Sequence, residues 1–403
     1  MKILFINTGP WGTGSFTAIK GLSKNLLRLG YDVKIFFPDA GLQSEDLNEY
    51  YHQPDLYHIW QFPIGNANIV LPTFPLMLTD PHPRNPEPLY FNHLKSEALQ
   101  FYLQSLRLEL STLIESFKPD VIECHHIWYA SWILHTMNQS YLVTAHHSDQ
   151  LGFRYDTRVR PYAIASAQAA KKIFVISEFV KEEVMELYNI SESRIVLSKN
   201  GFDKEIFRAR VIDKHQKLSK LDISVNPEAT FISFAGKISL NKGIDILLKA
   251  NKLLPSTLNI HFIVMGAGSI EPILKFMTPG SYSLKNIHFV GHQTPESVAE
   301  IHNISKVSIM PSRSEGFGIA CLEAMGCGLP VVVSKSGGPE EFAVGKIIDK
   351  EAPEQLAAAI EQLVNLPVKE YKKLSQKSLE IANQYTWENI VKIHTQVYDK
   401  IIS

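Results

Sequence analysis

Apolar strand-like runs and amphipathic helix-like stretches alternate along this chain in two successive series, a pattern that restricts it to parallel sheets covered by helices. The first series opens with a strand at Lys2 to Ile6, a helix from about Ser15 to Leu29 and a strand at Val33 to Phe37. It continues through strands at Asp120 to Cys124, Ser140 to Ala145, Lys172 to Ile176 and Arg194 to Leu197. The second starts near Thr230 and repeats at Ile260 to Met265, Ile287 to Val290, Val307 to Met310 and Pro330 to Val333. At 403 residues, 45% of them hydrophobic, the chain has material for two sizeable cores. Two doubly wound α/β domains are the economical reading, at 1–207 and 229–385, joined by a charged, weakly periodic linker at 208–228. The last segment, 386–403, spaces Ile390, Ile393, Val397 and Ile401 behind a cap-like Thr386 and reads as an amphipathic helix.

Charge and cysteine usage exclude several classes. A formal net charge of −1 supplies no basic field for nucleic acid. The three thiols, Cys124, Cys321 and Cys327, form no CxxC pair and read as packed, reduced cysteines rather than a zinc or disulfide framework. Met1 to Asn7 enters a strand at once, without the apolar core of a signal peptide, and no apolar run reaches spanning length. A cytoplasmic protein is expected, whose membrane contact would be peripheral. The irregular part is Asp55 to Asn92, with Pro63, Pro72, Pro75, Pro81, Pro83, Pro86 and Pro88 among Trp60, Phe62, Phe74, His82 and Tyr90. Proline at that density forbids a long helix, so short extended pieces in a structured loop are expected, either an aromatic acceptor-binding wall or a pinned surface excursion.

Chemistry concentrates between Ser305 and Phe342. The buried-strand run Val307 to Met310 ends at Pro311 and feeds Ser312-Arg313-Ser314-Glu315-Gly316-Phe317-Gly318, then a helix carrying Glu323. Gly316 and Gly318 allow close backbone approach to a ligand, and free N–H groups at the helix start suit an anion or sugar hydroxyls. Two carboxylates, Glu315 and Glu323, thus stand beside a glycine-rich helix entrance. Glu340 and Glu341, after Ser336-Gly337-Gly338-Pro339, are expected to begin another helix, where acidic residues suit its dipole.

Glu315 and Glu323, seven residues between them, resemble the signature of the retaining glycosyltransferases of family 4, which have the two-Rossmann GT-B fold. Phe234-Ala235-Gly236-Lys237 with Asn241-Lys242-Gly243 is similar to that family's phosphate-gripping segment. Asn200 to Asp203, Val264 to Gly268 and Gly291 to Gln293 are similar to family segments too, in the family's order. The resemblance covers nearly the whole chain. It implies two Rossmann-like domains facing each other across a cleft, the final helix crossing back onto the first, and transfer of a hexosyl group from a nucleotide sugar, UDP favoured over GDP or ADP, without a metal or other cofactor.

Site roles follow from that resemblance together with the chemistry of the residues. Departure of a diphosphate leaves extra negative charge, which Lys237 and Lys242 would stabilise, with Gly236 and Gly243 leaving room for phosphate. Arginine is usual at position 237; lysine keeps the charge and loses the planar fork. Glu323 would accept the ribose hydroxyls as an ionised carboxylate, and Glu315 would hold donor-sugar hydroxyls beside the N–H groups of Phe317 and Gly318. His146, at a strand end, matches a family histidine facing the reacting sugar, where a neutral imidazole or its carbonyl would act. Gly12 and Gly14 open the first helix at a loop that approaches donor phosphates and acceptor. The reaction implied is front-face substitution with retention, catalysed by Glu315, His146, Lys237 and Lys242.

Other chemistries could use some of these residues. Gly12-Thr13-Gly14 with Asp39 partly matches a dinucleotide fingerprint, but the third glycine falls at Thr17, whose branched side chain would crowd helix–strand packing. A glycoside hydrolase would use paired carboxylates without phosphate lysines. A non-catalytic nucleotide-sugar-binding protein would keep the pocket without turnover. His125-His126 and His146-His147 suggest a metal, yet neighbours on a strand point to opposite faces, and His125 and His126 read as core or surface residues. No role is carried onto Glu123, where the family often has a histidine. The acceptor is a sugar, polysaccharide or small molecule; the predicted helix Phe91 to Phe117 lacks the basic stripe that docks on an anionic bilayer.

Overall fold

A computed structural model describes residues 1–40, 48–77 and 89–402. The chain divides into two compact units, Met1–Asn200 with the segment from Trp387 onward, and Gly201–Thr386. Among the described residues the first unit is built on seven parallel strands. They are β1 (Lys2–Asn7), β2 (Asp32–Asp39), β3 (Tyr57–Gln61), β4 (Val121–His125), β5 (Leu142–Ala145), β6 (Ile173–Val175) and β7 (Ile195–Leu197). Their order is β7-β6-β5-β4-β1-β2-β3, so the winding reverses between β1 and β4, the place where doubly wound sheets open to ligands at their carboxyl edge.

Near-continuous apolar runs such as Ile3 to Ile6 are fully buried, as a sheet covered on both faces requires. Helix α1 (Gly14–Arg28) starts behind Thr13, whose Oγ1 accepts the Phe16 N–H, and buries Phe16, Ile19, Leu22 and Leu26 against Ile3, Phe5, Val33 and Phe37. The same core includes Trp387, Ile390, Val391 and Tyr398 of the C-terminal helix, Trp387–Ile402. A Cβ at Gly21 of α1 would stand 2.2 Å from the Trp387 ring, so glycine sets how closely these helices approach. Helix α2 (Ser96–Phe117) begins later than the predicted helix, after a 3-10 turn at Phe91–His93.

The proline-rich segment contains a full strand of the main sheet, since β3 pairs with β2 from Ile35↔Tyr57 to Asp39↔Gln61. Its aromatics Trp60, Phe62 and Phe74 are buried, with Trp60 packed on Phe62 and on Tyr102 of α2. Those three rings are core and do not form an open acceptor wall, because the short extended pieces fold them inward. Pro81, His82, Pro83, Pro86 and Pro88 lie outside the described residues.

The second unit carries six parallel strands: β8 (Thr230–Ala235), β9 (Ile260–Met265), β10 (Ile287–Phe289), β11 (Val307–Met310), β12 (Val331–Ser334) and β13 (Gly345–Ile348). Their order is β10-β9-β8-β11-β12-β13, with the reversal between β8 and β11. One face packs Phe234, Leu247, Phe262, Val332 and Ile360; the other packs Phe231, Ile263 and Ile301 with Leu218 and Ile223. Leu218 belongs to α3 (Lys214–Lys220), inside the stretch 208–228 that the sequence assigns to a linker. Its charged composition conceals an element of the second unit because Lys217 is buried, with Nζ 2.9 Å from Glu300 Oε2 and 2.6 Å from Ser297 Oγ. Helices α4 (Ile244–Leu253) and α5 (Ile319–Gly326) follow β8 and β11. Among the described residues no helix is long and apolar enough to cross a membrane.

Candidate active site

In the second unit the loops leaving β8 and β11 meet at the winding reversal. The first runs from Gly236 through Lys237 and Lys242 to Gly243, which caps α4 at φ +71°. A Cβ on Gly243 would fall 2.0 Å from the Pro311 carbonyl oxygen, so only glycine lets this turn rest on the end of β11. Arg313 then stitches the loops together. Its N–H donates to Asn241 O at 2.8 Å, and its guanidinium forks onto both Asp245 oxygens at 2.8 and 2.9 Å. It also donates to Glu351 at 2.8 Å and to the Leu240 carbonyl. The Asp245 carboxylate holds Arg313 firmly charged, its pKa raised above the ordinary value. Arg313 and Asp245 were not singled out from the sequence, although Arg313 stands two residues before Glu315.

That scaffold brings Lys242 and Glu315 together, with Nζ 2.5 Å from Oε2. Ser312 Oγ lies 3.4 Å from the same oxygen, and the Glu315 N–H donates to Ser336 O at 3.0 Å. Gly316 and Phe317 are buried against the loop after β12, where a Cβ on Gly338 would meet Gly316 O and Phe317 Cα at 2.4 Å. Gly318, at φ +90°, caps α5, and Lys237 is half-buried beside Gly236. Glu340 and Glu341 form one 3-10 turn, Pro339–Glu341, in place of the predicted helix: the Gly337 N–H donates back to the Glu340 carboxylate at 3.0 Å, and strand β13 follows within four residues.

Glu323, expected to accept the ribose hydroxyls as an ionised carboxylate, stands within α5. The residue keeps part of its surface open, but its carboxyl sits deep among protein atoms, and burial pushes it up to about 8. Near neutral pH the ligand-free carboxyl is thereby biased toward its protonated form.

In the first unit β1 ends at Asn7 and leads into Thr8 and the exposed Gly12 and Gly14. A Cβ at Gly14 would meet nothing within 4 Å, and Thr17 is exposed, its Oγ1 donating to Thr13 O at 3.2 Å. Thr17 therefore does not crowd the helix–strand packing as expected; the close approach of this helix is made by Gly21.

Beside β1, the ends of β4 and β5 bring His125, His126 and His146 into one buried cluster. His125 Nδ1 lies 2.8 Å from His146 Nε2 with the ring planes 21° apart, and His126 Nδ1 is 2.7 Å from Thr8 Oγ1. Asp149 ties both loops by accepting the His146 N–H at 3.0 Å and the Ile127 N–H at 2.8 Å. Burial, and then the neighbouring rings, hold His146 well below the ordinary histidine range; burial lowers His125 and takes His126 down to about 3. All three imidazoles are neutral at pH 7. His126 and His147 are held at φ +84° and +71°, a backbone region that side chains other than glycine rarely adopt.

Behind His125 stands a group to which the sequence assigned nothing. Glu123 is fully buried, yet it accepts from Thr144 Oγ1 at 2.5 Å and from Tyr398 OH at 2.5 Å, with His394 Nδ1 at 3.1 Å and His125 Nε2 at 3.4 Å. Burial acts to raise its carboxyl, but His394 and His125 act to hold Glu123 well below the usual range, and the Thr144 hydroxyl, the Tyr398 hydroxyl and His394 Nδ1 all stand at its oxygens, the donor set of an ionised carboxylate. Among the described residues no group of three or more His, Cys, Asp or Glu side chains is placed to hold a metal ion.

Two family models match the chain, one described as Glycosyltransferase Family 4 over residues 12–206 and one as Glycosyl transferases group 1 over residues 217–380. An uncharacterised glycosyltransferase of Methanocaldococcus jannaschii is 25% identical over 296 residues, 70% of this chain and 75% of that protein. Among solved structures, sucrose-phosphate synthase from Thermosynechococcus elongatus superposes with a TM-score of 0.76 at 18% identity, over 100% of this chain and 99% of that one. Anabaena HepE in complex with UDP and glucose gives 0.70 at 17% identity, over the whole of both chains.

Proposed function

We propose that this chain, which belongs to the family 4 type of glycosyltransferases with the GT-B fold, transfers a hexosyl group from a UDP-sugar to a hydroxyl of a sugar, polysaccharide or small-molecule acceptor, with retention. The observation that carries the reading is the Lys242–Glu315 pair at the winding reversal of the second sheet, beside the glycine-capped start of α5. An ammonium and a carboxylate held 2.5 Å apart match the two parts of a sugar diphosphate, anionic phosphate and hydroxyl-bearing ring. HepE, which shares the fold, is solved with UDP and glucose, and on that precedent uracil is the base proposed for the donor here.

In the proposed reaction the bond from the anomeric carbon to the β-phosphate oxygen breaks while the acceptor oxygen bonds on the same face. The departing phosphate oxygen takes the acceptor's proton, so the products are the glycoside and UDP. Lys237 and Lys242 stabilise the charge that builds on the diphosphate. Glu323 gives up its proton and accepts the ribose hydroxyls; Glu315, released from Lys242, holds the donor sugar with the N–H groups of Phe317 and Gly318. His146 contributes a neutral imidazole to the same step. The two lysines take the neutralising role, and no metal ion enters this reading.

Thermal unfolding with UDP, GDP and ADP at matched concentrations tests the donor. Saturation to about a hundred times Kd contributes roughly 2.7 kcal/mol, a shift of several degrees, expected with UDP alone. A shift confined to GDP or ADP overturns the choice of nucleotide, and an inverted anomeric centre in the product overturns the mechanism.

A further inference from the structure

The buried cluster of the first unit has a direction, set by one charged group. Ionised Glu123 has only acceptor oxygens. Its Oε2 is filled by the Tyr398 hydroxyl and His394 Nδ1, and its Oε1 by the Thr144 hydroxyl. His394 Nε2 in turn lies 2.8 Å from Ser198 Oγ, and its ring stacks on Phe174 at 4.0 Å, so the C-terminal helix fixes the carboxylate from behind. On the other side, His125 Nε2 is fully buried and makes no hydrogen bond of normal length; the atom it faces is Glu123 Oε1 at 3.4 Å. A lone pair on that nitrogen would oppose a carboxylate oxygen, so its proton belongs there. A neutral His125 protonated on Nε2 has a bare Nδ1. The 2.8 Å contact with His146 then has a single polarity: His146 Nε2–H donates and His125 Nδ1 accepts. His146 is left with a bare Nδ1, which makes no hydrogen bond with the described residues.

We propose that Glu123 is a positioning residue that acts through His125 to hold His146 as the Nε2–H tautomer, so that His146 Nδ1 meets the substrate as a hydrogen-bond acceptor for a hydroxyl. The tautomer stands on the geometry of the first unit alone; its use on a substrate hydroxyl rests on the glycosyl-transfer reading above. Glu123→Gln keeps the shape and reverses the polarity. The amide oxygen takes the place filled by Tyr398 and His394, and the amide NH2 faces Thr144 and His125. His125 must then accept on Nε2 and donate from Nδ1, and His146 must accept on Nε2 and carry its proton on Nδ1.

The test is long-range ¹H–¹⁵N correlation on the full chain labelled at histidine, with His146 assigned through His146→Gln. In the unsubstituted protein His146 is expected as the Nε2–H tautomer; finding Nδ1–H there overturns the proposal. In Glu123→Gln the tautomer is expected to switch, with kcat lower by about tenfold or more and donor KM within twofold. Retention of the Nε2–H form in that folded variant also overturns it. Adding Glu123→Gln to His146→Gln should cost no further activity, since both act on one group, whereas additive losses assign Glu123 a separate role. A switched tautomer with unchanged kcat sustains the relay and overturns the assignment of His146 to the transfer step.

Discussion

The two units carry their functional groups at the same topological position and in opposite electrostatic states. In the first unit the groups are sealed: Glu123 and His125 are 0% exposed, and burial with fixed partners decides their protonation. In the second they are half-open, with 27% of the Lys242 side chain and 15% of Glu315 exposed, and charge is matched by a salt bridge within the site. A sealed network resists rearrangement, because any partner removed leaves an unpaired group in low dielectric. A half-open ion pair exchanges partners cheaply, since water and an arriving ligand can replace either member. The first site is thus built to present a fixed state and the second to change partners on binding.

The hardest blow to that contrast falls on Glu315. Glu315→Gln removes the charge that holds Lys242 and the acceptor proposed for donor-sugar hydroxyls, and transfer should fall on the order of a hundredfold or more. The fold should persist, because the pair is partly solvated and contributes little to stability. Steady-state rates with circular dichroism on the same sample check both halves. Near-normal turnover would remove Glu315 from the site, and unfolding would show that the pair is structural.

The second site was far more legible than the first, for a physical reason. The run Val307 to Met310, the proline after it, and the glycines that cap α4 and α5 are local signals, each announcing a strand end or a positive φ within a few residues. The relay has no local signal. Glu123 meets Thr144 across 21 residues and Tyr398 across 275, and alternation on β4 separates His125 from His126 without indicating that His125 faces His146 on β5. That pairing needs the register His125↔Thr144, which only the folded sheet supplies. Strand β3 was hidden by the prolines around it, and α3 by its charges. The raised pKa of Glu323 is unreadable in the sequence because it depends on depth within the unit, not on neighbours in sequence.

Glu323 is where the half-open site borrows a property of the sealed one, and pH exposes it. Its ligand-free pKa of about 8 lies above the ordinary 4.5. If the carboxylate form receives the ribose, binding expels a proton. UDP affinity then rises by up to about tenfold per pH unit below 8 and flattens above it. The β-phosphate titrates in part of that range, so Glu323→Gln supplies the baseline and should lose the additional slope. Calorimetry in buffers of different ionisation enthalpy counts the proton directly; equal release by both proteins would refute the role. The same linkage acts on stability with the opposite sign. The folded second unit holds a proton that the unfolded chain has lost between about pH 4.5 and 8, so ligand-free stability falls as pH rises through that window, and Glu323→Gln flattens the decline.

The smallest effect distinguishes support from chemistry within the second site. Arg313 touches the carbonyl of Leu240 and Asp245, on the loop and helix that frame Lys242, and Glu351 just past β13, rather than the paired charges. Arg313→Lys keeps the charge and loses the fork. With 28% of the Arg313 side chain exposed and the Asp245 carboxylate buried, the loss should be about 1 kcal/mol, a fall in Tm of roughly 2–4 °C for a unit of this size. Because Lys242, which is assigned to the charge that builds in the transition state, rides on the loop that Arg313 anchors, kcat and kcat/KM should fall together, by less than the loss expected of Glu315→Gln. A rise in donor KM with kcat held would instead mean that the Lys242 loop serves ground-state binding alone, and that the second unit's frame and its chemistry are separable, unlike those of the first.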